Sequence, residues 1–239
     1  MDVMDAMITE GSYEATKNIA TVKELANLQR IMRLIRDTEE IPLKNLLGGD
    51  GNSKIPRSTA IYNITSANDC PSMKLGLCAA KLQGCKCYAL KSEYSYHPDV
   101  LPYRRKQAKL WNELTAIEFA KQFLMINFSR GTKFTALRLN VSGDFKNQQD
   151  VDKAEEIARI LKLNGITVYT YSSRKDLNFS GCKNLILSGS NFTKAGVSNI
   201  FKIIESKKDK PKGWLLCKGD CNICNRCQIR NQKICVLKH

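Results

Sequence analysis

Helical and extended patterns of apolar residues alternate along most of this chain. Apolar side chains recur every three or four positions in four segments, which predicts helices. These helices are expected at 21–47, about 104–128, about 148–163 and about 192–206. Short runs rich in β-branched and aromatic residues predict strands between and beyond them. The strands are expected at 59–64, 134–141, 166–172, 184–188 and 213–217.

The order of these elements predicts a fold class and three regions. Alternating strands and helices over residues 55–212 indicate an α/β core with a mostly parallel sheet. About five strands are too few for a closed barrel of eight, so an open sheet or a partial (β/α) barrel is favoured. Pro42 and the GGDGNS stretch interrupt the chain and separate a helical N-terminal arm, residues 1–54, from this core. Residues 213–239 form a cysteine-rich segment that we expect to pack on the core.

Cysteines are the most specific chemical signal in the sequence. Nine of the ten fall into two groups, and only Cys182 stands apart. The two groups consist of Cys70, Cys78, Cys85 and Cys87 upstream and of Cys217, Cys221, Cys224, Cys227 and Cys235 downstream. The first residues lack the apolar stretch of a secretory signal, and no apolar run is long enough for a membrane span. We therefore expect a cytoplasmic protein (in the host cytoplasm if viral) without a membrane partner, in which such cysteines bind metal.

The spacing of the downstream group favours an iron–sulfur cluster. Only two residues separate Cys221 from Cys224, which is tight for two opposed zinc knuckles. A C-x2-C-x2-C run with one flanking thiolate suits a [4Fe-4S] cluster, and either Cys217 or Cys235 could be the fourth ligand. Zinc remains the alternative. The run also matches the three-cysteine signature of radical SAM enzymes, but that signature normally follows the first barrel strand. We therefore expect a closed, accessory cluster here.

The upstream group follows the first predicted strand, where a radical SAM-like fold carries its catalytic cluster. Adjacent side chains in Cys85-Lys86-Cys87 need not both reach one metal, so three of the four cysteines are expected to be ligands. An open-site cluster needs only three. The alternatives are a structural zinc site and partly buried free cysteines.

Polar residues follow the predicted strands and should meet the upstream cysteines at the carboxyl edge of the sheet. We expect Ser142 and Asp144 to be catalytic, because an Asp on a strand-end loop can bind an amine, a hydroxyl or a cation. Gly143 allows close backbone approach, and Arg174 can pair with a carboxylate or phosphate, so both are expected to bind a cofactor. Alternatively, Asp144 merely caps the following helix, and Arg174 is an ordinary exposed cation.

Charge narrows the class of partner. The formal net charge is +15, with 38 Lys and Arg against 23 acids, which favours an anionic small molecule or nucleic acid. A solvated lysine-rich surface is the simpler alternative. Two histidines are too few to support a Ser-His-Asp or Cys-His nucleophile, and no phosphate-binding loop motif occurs.

The joint order of these motifs resembles one known family. The order Cys70-Pro71, Cys78, Cys87-Tyr88-Ala89, then LNVSGDF, TVYTYSS and the terminal cysteine run is similar to the phage "gene product 88" domain family over roughly residues 57–230. The resemblance implies a protein of phages or mobile elements whose layout is like that of radical SAM-like partial barrels.

Two functional hypotheses follow. In the first, the protein is an iron–sulfur redox or radical SAM-like enzyme with a substrate-facing upstream cluster and an accessory downstream [4Fe-4S] cluster. S-adenosylmethionine is then an expected cofactor, and ferredoxin or flavodoxin an expected electron donor. In the second, a non-catalytic protein stabilised by zinc or iron–sulfur binds nucleic acid. A small electron carrier is a weaker third hypothesis, because a carrier does not need so large a scaffold.

Overall fold

An eight-stranded sheet organises the part of the chain that the structure, a computed structural model, describes, namely residues 50–96 and 99–238. The strands are β1 (Asp50–Asn52), β2 (Ile55–Tyr62), β3 (Ala136–Leu139), β4 (Thr167–Ser172), β5 (Ile186–Ser190), β6 (Asn199–Ile204), β7 (Leu215–Leu216) and β8 (Lys233–Leu237). They lie in the order β1-β2-β3-β4-β5-β6-β8-β7. Only the β1–β2 pair is antiparallel. The predicted α/β class and mostly parallel open sheet are therefore confirmed.

Helices fall into a short upstream set and three longer elements. They are α1 (Pro71–Lys74), α2 (Ala79–Leu82), α3 (Tyr88–Lys91), α4 (Val100–Glu113), α5 (Ala116–Ser129) and α6 (Gln148–Lys162). A π-helical turn, Ser92–Tyr96, follows α3, and two 3-10 turns lie at Lys207–Asp209 and Arg226–Gln228. Within the described ranges, no helix is both long and apolar enough to cross a membrane.

One face of the sheet carries the main hydrophobic core. Phe119 and Phe123 of α5 and Ile157 of α6 pack with Leu137 of β3, and all four side chains are fully buried. A capping box starts α5: the Thr115 hydroxyl accepts from Glu118 N at 3.2 Å, and the Glu118 carboxylate accepts from Thr115 N at 2.7 Å. This capping fixes where the apolar stripe of α5 meets the sheet.

The opposite face of the sheet, which we call the open face, carries no long helix in the described ranges. Ala136, Tyr169 and Ile186 form a small buried cluster there, and Cys227 packs against it. The covering element is the terminal loop, residues 217–232, which runs from β7 to β8. At its far end Cys221 N donates to Lys54 O, at the β1–β2 turn, at 2.7 Å. The predicted cysteine-rich segment thus covers the sheet face opposite the main helices.

Two helix predictions were inaccurate. The predicted helix at about 104–128 is interrupted: α4 ends at Glu113, and extended backbone at Leu114 and Thr115 separates it from α5. The apolar spacing continues through this break and so concealed it. The predicted helix at about 192–206 is wrong, because β6 occupies its second half. The NIFKII run fits either periodicity, and pairing between β5 and β8 makes it a strand.

Strand prediction also missed β1, at one end of the sheet, and β8, which lies between β6 and β7. The polar GGDGNS stretch conceals β1, which pairs with β2, so residues 50–52 join the sheet. We interpreted Cys235 as a candidate ligand and overlooked β8, in which Cys235 is fully buried. The predicted helix at 21–47 lies outside the described residues.

Candidate metal centre and its supporting network

Three of the four upstream cysteines occupy equivalent positions. Cys70, Cys78 and Cys87 are the N-cap residues of α1, α2 and α3, each a single helical turn. Cys85 lies between helices instead, with its backbone N–H bonded to Ala80 O at 2.9 Å. The assignment of these residues as ligands stays a prediction, and Cys85 differs from the other three in its place in the chain.

The environment of Cys70 favours a neutral thiol in the metal-free protein. Burial raises the pKa of Cys70 to about 12, and the nearby Asp144 carboxylate adds to this effect. The backbone N–H groups of Ser72 and Met73 act in the opposite direction, although neither makes a side-chain cap hydrogen bond with the thiol. Thiolate ligation here would therefore release a proton.

Asp144 ties the first cysteine segment to the loop after β4. Its carboxylate accepts from Ser72 Oγ at 2.6 Å, Ser172 Oγ at 2.7 Å, Ser173 N at 2.8 Å and Phe145 N at 2.9 Å. Burial raises the pKa of Asp144, against the lowering effect of these four hydrogen bonds. The side chain is 4% exposed, so its oxygens face the protein interior.

Close packing explains the glycine before Asp144. Gly143 has φ +76°, and a Cβ on it would lie 2.1 Å from Thr65 Oγ1. Thr65 Oγ1 accepts from Asp144 N and donates to Asp144 O, both at 2.9 Å. The glycine therefore lets the segment after β2 lie directly against the loop after β3.

A second buried carboxylate, Glu93, binds the segment that follows β2. It accepts from Ala67 N at 2.7 Å and Asn68 N at 2.9 Å, and it forms an ion pair with Arg104 at 2.8 Å. The buried Ser142 hydroxyl donates to Glu93 at 3.1 Å. Ser142 thus faces Glu93 rather than solvent.

Arg174 is engaged by the protein itself. Its Nε and Nη2 atoms donate to both carboxylate oxygens of Asp176, at 2.8 and 2.7 Å. Its Nη1 atom donates to the carbonyl oxygens of Phe145 and Lys146. These bonds hold the loop after β3 against the loop after β4 and use most of the donors that a ligand would need.

The terminal cysteines lie together on the open face. Cys227 interacts electrostatically with Cys217 and Cys221, as Cys221 does with Cys224. Burial raises the pKa of Cys227 to about 11, whereas a hydrogen bond from the Tyr171 hydroxyl lowers it. These four thiols are partly exposed.

Cys235 differs from the other terminal cysteines. Its thiol donates to Leu215 O at 3.3 Å inside the β7–β8 pair, and its backbone oxygen accepts from Cys217 N at 2.7 Å. Of the two candidates for fourth ligand, Cys217 therefore shares the surroundings of the other cysteines, and Cys235 is part of the sheet.

The donor set fits an iron–sulfur cluster in its chemistry. All ten cysteines are free thiols. In the described ranges, no three Cys, His, Asp or Glu side chains are arranged to hold a single metal ion. Four neighbouring thiolates are a donor set that can hold either an iron–sulfur cluster or a zinc ion.

Sequence reasoning missed two residues of this region. Glu93 lies beside Tyr94 and Tyr96 in a segment without apolar periodicity, so no local pattern marked it as buried. Arg138 lies in the ALRL strand β3, on the open face beside Tyr171. A lone Arg within an apolar strand was the available signal.

Comparisons with known proteins return a single family. The family model described as gene product 88 matches residues 27–190, which is more than half of the chain. No curated protein and no solved structure matched the sequence.

Proposed function

The chain belongs to the gene product 88 family, and we propose that it is an iron–sulfur redox enzyme with two metal centres. The upstream centre would be substrate-facing, with Cys70, Cys78 and Cys87 as ligands. The downstream centre would be an accessory [4Fe-4S] cluster held by the four cysteines of the terminal loop. Zinc is the alternative metal for either group.

The observation that carries this proposal is the equivalence of three upstream cysteines. Each is the N-cap residue of one helical turn, so the three cysteines recur at the same structural position in neighbouring segments of the chain. Three thiolates leave one iron of a cubane without a protein ligand. A cluster bound in this way would supply one-electron chemistry and an open coordination position.

Sheet topology supports a radical SAM-like partial barrel. Strands β2 to β6 lie in sequence order, as in a barrel, and not in the reversed order of a doubly wound sheet. The long helices α5 and α6 pack on one face, while the other face meets the terminal loop. In this form of the proposal, S-adenosylmethionine binds at the upstream centre, and ferredoxin or flavodoxin supplies the electron.

The polar residues predicted to be catalytic or cofactor-binding are assigned positioning roles. Asp144 holds Ser72 of the first cysteine segment against Ser173, whose hydroxyl accepts from Ala79 N, beside Cys78, at 3.3 Å. Ser142 reaches the same segment through Glu93. Gly143 and Arg174 hold the supporting loops together. These residues would fix the ligand segments without contacting substrate themselves.

Anaerobic purification followed by iron and sulfide analysis tests the proposal. About eight irons and eight sulfides per chain are expected, together with two low-temperature EPR signals after reduction. Stoichiometric zinc in a colourless protein would contradict it. Adding S-adenosylmethionine to the reduced protein should change one EPR signal, and an unchanged spectrum would exclude the radical SAM form.

Single alanine variants identify the ligands. Cys87→Ala should remove about four irons, whereas Cys85→Ala, two residues away, should leave the iron content unchanged. Equal losses in both variants would contradict the assignment of Cys70, Cys78 and Cys87 as ligands. In the terminal loop, Cys217→Ala should reduce iron more than Cys235→Ser, which alters a sheet residue.

A second candidate function comes from the charge distribution. Residues 202–239 contain ten Lys or Arg and three acids, a balance that suits nucleic acid. In that case the metal centres would be structural. Fluorescence-anisotropy titrations with a single-stranded oligonucleotide should show affinity that falls steeply between 50 and 200 mM salt. Binding that is absent or insensitive to salt would argue against this function.

A further inference from the structure

The open face carries an arginine that has no carboxylate partner in the described ranges and lies near the thiols of Cys221 and Cys227. Arg138, at the middle of β3, lies laterally between Ile61 of β2 and Tyr169 of β4. Among the described residues it forms no ion pair, and its Nε atom is buried without a hydrogen-bond partner. The buried arginines Arg104 and Arg174 and the buried carboxylates described above all have polar partners. Arg138 therefore differs from Arg104 and Arg174, which serve structural contacts.

Contact with an aromatic ring offsets only part of the free-energy cost of burying the Arg138 Nε atom. The Arg138 guanidinium lies 5.0 Å from the centre of the Tyr171 ring, which in turn packs edge-on against Phe201 at 5.0 Å. The face of an aromatic ring attracts a cation, but it does not replace an oxygen acceptor for the N–H groups of the guanidinium. Arg138 as a whole is partly exposed, but burying its Nε–H without an acceptor is unfavourable, and a bound anion would supply the acceptor that the chain does not.

The surroundings place this cation between the two cysteine groups. Burial acts to lower the pKa of Arg138, but Tyr171, Tyr169, Tyr88 and Cys221 outweigh it and raise that pKa. Tyr88 directly follows Cys87, and its hydroxyl donates to Val141 O at 2.8 Å. Cys221 belongs to the terminal loop. One guanidinium thus lies close to both candidate metal-binding segments.

We propose that Arg138 forms the anion-binding site of the open face and takes a carboxylate or phosphate group of a small substrate. The planar fork of Arg offers parallel N–H donors that match two oxygens of such a group. The anion would lie between Tyr88, Tyr171 and the terminal loop. This inference deepens the proposed function by giving its substrate class, but it uses only residues of the chain and no metal.

Isothermal titration of the protein as purified, with inorganic phosphate and separately with acetate, tests this site. Saturable binding of at least one probe at one site per chain is expected, with affinity that weakens as chloride is added. Arg138→Gln should weaken that binding at least tenfold. Arg138→Lys, which keeps the charge but not the fork, should weaken it less. Arg57→Gln, which removes an exposed arginine from neighbouring β2, should have no effect.

Several outcomes would overturn the proposal. One is the absence of saturable binding of either probe to the wild-type protein, and another is equal binding by the Arg138→Lys and wild-type proteins. A third is a change in the reduction potential or metal content of Arg138→Gln with no anion binding in any form. That result would make Arg138 the charge partner of the terminal thiolates. Anion binding that depends on Arg138 in a protein without iron would support the site while contradicting the iron–sulfur proposal.

Discussion

At the scale of single residues, buried carboxylates hold the cysteine segments in place. Asp144 and Glu93 each accept several hydrogen bonds, and most of the donors are backbone N–H or serine hydroxyl groups. Such bonds stabilise a fold mainly because leaving the donors unpaired would be unfavourable. The conformation of the first cysteine segment therefore depends on side chains from β3 and β4 loops far along the sequence.

Asp144→Asn should destabilise the protein and weaken the upstream centre. An amide replaces one carboxylate oxygen, so two donors lose their acceptor, and either Phe145 N or Ser173 N is left facing an NH₂ group. We expect a loss of about 2–3 kcal/mol in the free energy of unfolding, measured by urea denaturation. Asp152→Asn on the exposed side of α6 is the control, with a change below about 0.5 kcal/mol. Equal stability of the two variants would contradict the positioning role.

Cys182 should be dispensable for metal binding. Burial raises the pKa of Cys182 to about 12, as it does for Cys70, but Cys182 belongs to the main hydrophobic core. Cys182→Ala should leave iron and sulfide unchanged and cost about 1 kcal/mol of stability through a small cavity. Cys70→Ala, the matched variant, should lose iron. Iron loss in Cys182→Ala beyond that explained by unfolding would count against two separate centres.

At the scale of elements, α4, α5 and α6 meet through polar as well as apolar contacts. Lys153 of α6 donates to the backbone oxygens of Trp111 and Leu114 at the end of α4, where helix carbonyl groups lack partners. Trp111 Nε1 donates to Asp150 at 2.7 Å across the same junction. The break between α4 and α5 is therefore stabilised by α6.

The junction gives the stability a defined pH dependence. Burial lowers the pKa of Lys153 from 10.5 to about 8. Between these values the unfolded chain binds more protons than the folded one, so this residue's contribution to the unfolding free energy rises as pH increases from 8 to 10.5. The unfolding free energy of the wild type and of Lys153→Met should be measured as a function of pH. The difference between the two curves should rise between pH 8 and pH 10.5. A Lys153→Met curve that runs parallel to the wild-type curve would contradict the prediction.

At the scale of the whole molecule, the terminal segment contributes two strands to the sheet as well as the downstream group of cysteines. Strand β8 pairs with β6 over five residues, and Ile234 and Cys235 are buried. The terminal loop then covers the open face. The cysteine-rich segment is therefore part of the sheet, and we expect the two to fold as one unit.

Deleting the terminal segment and replacing its cysteines should therefore have different effects on thermal unfolding. Removal of residues 213–239 should abolish cooperative thermal unfolding, because β6 loses its partner strand and the open face loses its cover. Replacing Cys217, Cys221, Cys224 and Cys227 by serine should preserve a cooperative transition while removing about four irons. Calorimetry together with iron analysis distinguishes the two. Cooperative unfolding of the truncated chain would show that residues 213–239 are an appendage.

The α/β class, the mostly parallel sheet and the two cysteine groups could all be predicted from the amino-acid sequence. Hydrophobic periodicity and cysteine spacing are local properties, so they can be interpreted without knowing any long-range contact. The predicted order of motifs also indicated the correct family. The metal content and the activity stay predictions.

The contacts of individual residues, by contrast, became known only from the tertiary structure. The NIFKII run became a strand because two neighbouring strands supplied its hydrogen bonds, and Cys235 became a sheet residue for the same reason. Asp144 and Arg174 follow strands, as predicted, yet both bind other parts of the protein. The position of Arg138 near both cysteine groups could be recognised only once the packing of the terminal loop against the open face was known. Contacts between distant segments depend on the relative positions of several elements, which local sequence patterns do not specify.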